Sequence, residues 1–352
     1  MIDYSPIKLI EYLRDGLIEQ EHWGIILKVS SDGSMAKIEN DNNYPFYLRS
    51  CAKPLQASLL IDFGLDEFYK MTDPEIAICC ASHAGELCHV STVKGFLEKI
   101  GLDESYLKCG LHKPLSKTDQ KKLILEGKSE NILQNNCSGK HAMMLAICKK
   151  MEWDLKNYDE STHPLQIAIK KKIYELCEVK KDYPITKDGC GVPIFAMPLE
   201  NMVKGYLNLF LDEKYSKIRN AFVNNPYLIG GEDRLDTAII LASGEGREAK
   251  SKKQKAKSSI YHLPFTIYPL IVKVGASGLC IVVNLDKKEG VIVKIMDCDM
   301  KARAVVVIEA LKQLGWLDET MLENDLIKAQ NKTDILTLHG EKIGGAKCSF
   351  IL

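Results

Sequence analysis

The chain has 352 residues, of which 46% are hydrophobic, enough to bury a large core. Lys+Arg and Asp+Glu stand at 47 each, a balance that gives no global attraction to nucleic acid or to an anionic membrane. No apolar run reaches the roughly 18 residues that a membrane-spanning helix needs. The opening segment, MIDYSPIKLIEY, lacks a basic region followed by an apolar core, so no secretory signal is expected. Twelve cysteines then point to a reducing, cytoplasmic setting, where most serve as small buried apolar groups. No C-x-x-C pair occurs, which excludes zinc ribbons and thioredoxin-like motifs.

In chain order, HWGIILKV at 22–29 reads as a strand, SSDGS as a turn and MAKIEN as a second strand. In KPLQASLLIDFGL, Leu55, Leu59, Leu60 and Phe63 recur at helical spacing. DPEIAICCASHAGE predicts an Asp-Pro helix opening through 75–80 and then a loop, and STVKGFLEKIGL a helix ended by Gly101. NNCSGKHAMMLAICKKM predicts a glycine turn feeding an apolar helix, and HPLQIAIKKKIYELCEV another helix. KDGCGVPIFAMPL reads as a loop and LENMVKGYLNLFL as a helix. IVKVGASGLCIVVNL and EGVIVKIMD read as adjacent strands, and KARAVVVIEALKQLGW as a long helix. Strands at both ends and helices between them predict an α+β fold with a sheet made from both termini. There is no internal repeat. One catalytic domain, 1–352, is expected, with the Lys/Ser-rich run around 247–258 as a solvated loop or insertion.

RSCAKPLQA, 49–57, places Ser50 three residues before Lys53, a spacing that shares a helix face. A desolvated lysine near other cations loses its proton more readily and can serve as a base toward a serine hydroxyl. Pro54 fits only in the first turn of a helix, so the helix must begin near Ser50, where its positive end stabilises an oxyanion. The plain alternative is a serine cap and a solvated lysine. Serine acyl-enzymes carry S-x-x-K, then a serine-led box, then K-T-G on a late strand. Here SCAK is followed by SHA at Ser82–Ala84 and KVG at Lys273–Gly275, in the same order but without a literal match.

Cys137, Lys140 and the distant Cys190 offer two thiolates and a nitrogen for a soft metal such as zinc, against the simpler reading of buried small residues. SGKH fails as a phosphate loop, because Gln134 stands where its first glycine should be. HAGELCH lacks the spacing of a zinc-protease helix. In IGGEDRLDTAI, Asp236 reads either as the capped start of a helix or as part of an electrostatic clamp on a small polar substrate.

Taken together, RSCAKPLQA, ASHAGE, NCSGKHAMML, DGCGVP and GGEDRLDT closely resemble the asparaginase II family, the Rhizobium etli-type L-asparaginases. RDGLIEQEHWG and IVKVGASG are similar to further segments of that family. The resemblance covers about residues 11 to 310. It implies a fold like serine β-lactamases and glutaminases, usually as a homodimer, and hydrolysis of L-asparagine to L-aspartate and ammonia. It implies two Ser–Lys pairs, Ser50 with Lys53 and Ser82 with Lys273. It also implies a zinc ion held by Cys137, Lys140 and Cys190, and substrate-binding roles for Arg49, His83, His141 and Asp188. In this reading Ser50 attacks and Lys53 is its base. Ser277 stands where that family leads one to expect an acidic residue. Expected partners are L-asparagine and a second copy of the chain, with no nucleic acid and no membrane.

Overall fold

The computed structural model describes residues 5–38, 44–248 and 269–352. Its strands are β1 (Ile7–Arg14), β2 (Leu17–Ser30), β3 (Met35–Ile38), β4 (Phe46–Tyr47), β5 (Ile185–Lys187) and β6 (Pro193–Met197). β7 (Leu270–Val274), β8 (Leu279–Asn284), β9 (Glu289–Ile295), β10 (Asp334–Leu336) and β11 (Lys342–Cys348) follow. The first helices are α1 (Ala52–Asp62), α2 (Leu65–Phe68), α3 (Asp73–Cys80), α4 (Leu87–Lys99), α5 (Lys117–Leu125), α6 (Ser138–Lys150) and α7 (Pro164–Leu176). α8 (Leu199–Leu211), α9 (Ser216–Asn224), α10 (Pro226–Ile229), α11 (Leu235–Glu248), α12 (Met300–Gln313), α13 (Glu319–Leu322) and α14 (Asp325–Gln330) complete the set.

Both ends of the chain supply the main sheet, as the distribution of strand signals predicts. Its order is β10-β11-β1-β2-β9-β8-β7, with β3 beside β2. Every pair is antiparallel. The fold is therefore α+β. β8 is buried at every position and β9 at all but its first, so helices must cover both faces. α8 packs against β2, β8 and β9, and α12 against β1, β8 and β9.

The N-terminal hairpin escapes the sequence reading. β2 begins at Leu17, five residues before the expected strand start, and pairs with β1 across Asp15-Gly16. Both turn residues have positive φ, 45° and 82°, which suits the right-handed twist of a two-residue hairpin. A second correction concerns KDGCGVPIFAMPL. Its latter half is not a loop but β6, the middle strand of a small sheet ordered β4-β6-β5. Pro193 is the first residue of that strand, where proline is tolerated, and Ile194 to Met197 are buried.

The middle of the chain forms the helical lobe. α1 is buried at every position from Ala52 to Leu60, so it runs through the interior, in contact with α3, α6, α7 and α8. α3 opens as expected, with a Thr72–Glu75 capping box and Pro74 in its first turn. The core is continuous between sheet and lobe. The Lys/Ser-rich stretch lies outside the described residues from 249 on, while 247 and 248 are the last residues of α11.

Candidate active site

The start of α1, the end of α3, the start of α6, the loop before β6 and strand β7 converge on one group of buried polar side chains. Arg49–Cys51 form a single 3₁₀ turn that runs directly into α1. Lys53 is the second residue of α1 and Pro54 the third, so the missing proline N–H falls among donors that have no partner in the helix anyway. The turn holds Ser50, 9% exposed, at the positive end of a helix buried from Ala52 to Leu60.

The pairing of serine and lysine differs from the expected one. Lys53 Nζ lies 2.9 Å from Ser82 Oγ and donates to the Asn136 carbonyl at 2.8 Å. Among the described residues it has no hydrogen bond to Ser50, although the two sit three positions apart. Their side chains share a face, but a lysine amine at the tip of four methylenes reaches well beyond a hydroxyl on Cβ. Burial pulls the Lys53 amine below its usual range, and the neighbouring Lys140 adds to this against the pull of Cys137. Lys273, on β7, is completely buried. It donates to the Val274 carbonyl at 3.1 Å and lies 3.7 Å from Asp236 Oδ2.

Cys137, at the N-cap of α6, Lys140, one turn later, and Cys190, in the loop before β6, are all buried and adjoin one another. Lys140 Nζ is 2.9 Å from Cys190 Sγ. The hydrogen bond from Cys190 pushes the Cys137 thiol well below its ordinary range, and raises that of Cys190, so the pair shares one proton. Burial alone would lower Lys140, but Cys190 and Cys137 outweigh it and raise the amine. Among the described residues no third His, Cys, Asp or Glu atom comes within 4.8 Å of both sulfurs. Two thiols and one amine are thus the protein donors available to a metal here, and this set fits zinc with a position left for an exogenous ligand.

Arg49 and Asp188 face each other. The guanidinium donates from Nε at 2.9 Å to Asp188 Oδ1, and from Nη1 at 2.8 Å to Ser277 Oγ. Both Arg49 and Ser277 hold positive φ, 48° and 59°. Side-chain-bearing residues adopt this conformation infrequently, in turns such as that at Asp15 and at functional sites. The serine at 277, out of keeping with an acidic expectation, is here an acceptor for the guanidinium.

The two expected histidines behave differently. His83 Nδ1 accepts from the Gly85 N–H at 3.2 Å, so Nε2 carries the proton and donates to Ser138 Oγ at 2.9 Å. Both nitrogens are engaged, and the ring stacks on His89 with centroids 5.0 Å apart. In this arrangement His83 holds the Ser82 loop and leaves no ring nitrogen for a ligand. His141 Nδ1 lies 2.8 Å from Tyr158 OH, which itself accepts from the Lys108 N–H at 2.9 Å. The tyrosine therefore donates to Nδ1, and the His141 proton sits on Nε2, which is buried and has no partner among the described residues. Asn136 and Ser138 lie within NCSGKHAMML, but nothing in that motif pointed to their contacts, and Tyr158 belongs to no local motif.

A cavity of about 580 Å³ is lined by Ala84, Glu86, Arg234, Val274 and Arg303 among others, and by none of the site side chains described above. Ala84 and Val274 follow closely on Ser82 and Lys273. A larger surface cleft of about 740 Å³, between the Ser30–Gly33 turn and α8, likewise contains none of the site side chains. All twelve cysteines are free. No helix among the described residues is long and apolar enough to cross a membrane.

The sequence model of a family described as L-asparaginase II matches residues 10–251 and 265–348. No curated protein matches the chain. Among solved structures, one from Bacteroides dorei DSM 17855, provisionally described as a beta-lactamase, is similar at 12% identity, with a TM-score of 0.39. That match covers 78% of this chain and 84% of the other.

Proposed function

The chain belongs to the L-asparaginase II family of amidohydrolases, and we propose that it hydrolyses L-asparagine to L-aspartate and ammonia through a lysine-activated serine. The observation that carries this reading is the buried amine of Lys53, 2.9 Å from the Ser82 hydroxyl. A general base must lie within hydrogen-bond reach of the proton it takes, and burial favours its neutral form. Lys53 meets both conditions toward Ser82.

In the proposed reaction Lys53 removes the Ser82 proton as the oxygen attacks the side-chain amide carbon. The oxyanion develops near the positive end of α1, where the Ser50 hydroxyl is a donor at the helix start. Lys53 then returns the proton to the departing nitrogen, and ammonia leaves. Water, deprotonated by the same amine, hydrolyses the ester and releases aspartate. Arg49 suits the substrate α-carboxylate and Asp188 its ammonium: the two charges that pair with each other here are the complements of a zwitterion. His141 Nε2–H is a further donor with no partner among the described residues.

Cys137, Cys190 and Lys140 would hold a zinc ion. When bound, it would fix the α6 and 188–192 segments to each other and add positive charge beside Lys53. A homodimer in the cytoplasm completes the proposal.

The test is ammonia release from L-asparagine by the purified protein, with L-glutamine in parallel. Trapping the acyl-enzyme by mass spectrometry in Ser82→Ala and Ser50→Ala then assigns the nucleophile. An ester on Ser50 that persists in Ser82→Ala refutes the role given to Ser82. Release from neither amide by folded, zinc-loaded protein refutes the activity.

A further inference from the structure

Asp236 is an acid that the chemistry above leaves unexplained. It is fully buried at the second position of α11, and neither carboxylate oxygen has a hydrogen-bond partner among the described residues. A first-turn aspartate that merely caps its own helix would accept a backbone N–H, and this one does not. The charge nearest to it is the Lys273 amine, 3.7 Å from Oδ2 and equally buried. A buried carboxylate without a counter-charge is strongly disfavoured, so the two must be read as a pair.

The preceding loop is shaped to admit this carboxylate. A Cβ on Gly230 would stand 2.5 Å from Asp236 Oδ1 and 2.7 Å from Thr237 Oγ1. Thr237 Oγ1 in turn accepts from the Gly231 N–H at 3.2 Å and donates to the Pro226 carbonyl at 3.0 Å. The first glycine of GGEDRLDT thus has a physical purpose: it lets the backbone fold closely around the acid, while Gly231 admits Glu86 and Ala84.

We propose that Asp236 is a positioning residue, which holds Lys273 as an ammonium so that its positive charge stabilises the charge developing on the attacking serine. This rests on the amidohydrolase reading above. Cys51, Cys80, His83 and Lys53, the immediate neighbours of Ser50 and Ser82, all interact electrostatically with Lys273. Arg234 from the loop before α11 and Cys280 from β8 also face it, and Arg303 from α12 acts on Asp236. Burial draws Lys273 down to about 8, Asp236 opposes that fall, and Lys53 and Arg234 deepen it.

The experiment is the pH profile of kcat/KM for asparagine in wild type and Asp236→Asn, beside a thermal double-mutant cycle with Lys273→Met. Asp236→Asn should move the alkaline limb to lower pH by about one unit or more and lower kcat with little change in KM. A uniform loss at every pH, with the limb where wild type has it, would leave Asp236 a structural residue only and overturn the proposal. In the cycle, the double variant should lose less stability than the two single losses added together; additive losses overturn the pair. If Asp236→Asn does not fold, recovery of folding in Asp236→Asn/Lys273→Met supports the pair, and failure of both overturns it. A wild type that hydrolyses neither asparagine nor glutamine would sink the activity, and the thermal cycle would then decide on the pair alone.

Discussion

Gly139→Ala is the perturbation whose consequence the geometry defines most sharply. Gly139 lies in α6 between Cys137 and Lys140. An ideal Cβ there would be 2.2 Å from the Ile78 carbonyl oxygen and 2.9 Å from its carbon. These are backbone atoms of α3 and cannot rotate aside. Restoring an ordinary contact of about 3.4 Å needs the two helices to part by roughly 1 Å. Alanine gains at most about 1 kcal/mol over glycine, the helix-interior value, at this second position of α6, whereas forcing a methyl into a packed interior costs about 1–3 kcal/mol, and more against rigid neighbours. The clash wins, with a net loss of about 1–2 kcal/mol and a melting temperature lower by several degrees. Function should fall further than stability. α3 leads into Ser82, and the start of α6 carries two of the proposed zinc donors and follows the Asn136 carbonyl that holds Lys53, so the same 1 Å shifts Ser82 against the groups that position Lys53. A misplacement of that size costs about 100-fold in rate. Differential scanning calorimetry and ammonia release measure the two effects. A variant as stable and as active as wild type would refute the argument that the α3–α6 contact sets the site's geometry.

Three other outcomes are expected. Lys53→Met should lower turnover at least about 1000-fold with the far-ultraviolet circular dichroism of wild type; a smaller loss would remove Lys53 from the role of base. Cys137→Ser should lower bound zinc, measured by plasma emission spectrometry, and unchanged metal content would refute that donor set. The pH dependence of zinc affinity has a definite sign. Cys137 already favours the thiolate, but Cys190 and Lys140 are both raised and must each lose a proton to bind metal. Affinity should therefore strengthen as pH rises and weaken as it falls, by up to about 100-fold per unit for two released protons. Competition titration with a chromophoric chelator between pH 6 and 8, taken as roughly neutral conditions, would show it; a flat response would mean that the cluster does not bind as a thiolate–amine set.

Much of the site was legible because local chemistry fixes it. Pro54 demanded a helix start near Ser50, and Asp73-Pro74 signalled one at α3. The strand signals at either end of the chain were enough for a shared sheet. The N-terminal hairpin was legible in principle, since Asp15-Gly16 between alternating segments is a hairpin signal, but the exposed first half of β2 masks its apolar alternation. β6 was missed because its proline and flanking glycines resemble a loop, and only pairing with β4 and β5 makes it a strand.

What the sequence alone determined was the set of reactive residue types, their order along the chain and the helix ends on which several of them sit. What only the tertiary structure decided was who meets whom. Lys53 could have faced Ser50, three residues away, and instead reaches Ser82, 29 positions on. Asp236 could have capped its own helix and instead lies beside Lys273, and Arg49 closes on Asp188 and Ser277. The reason is physical. Hydrogen bonds within a turn follow from spacing, but a long buried side chain goes where packing of distant elements leaves a polar partner. No pattern of neighbours along the chain contains that information.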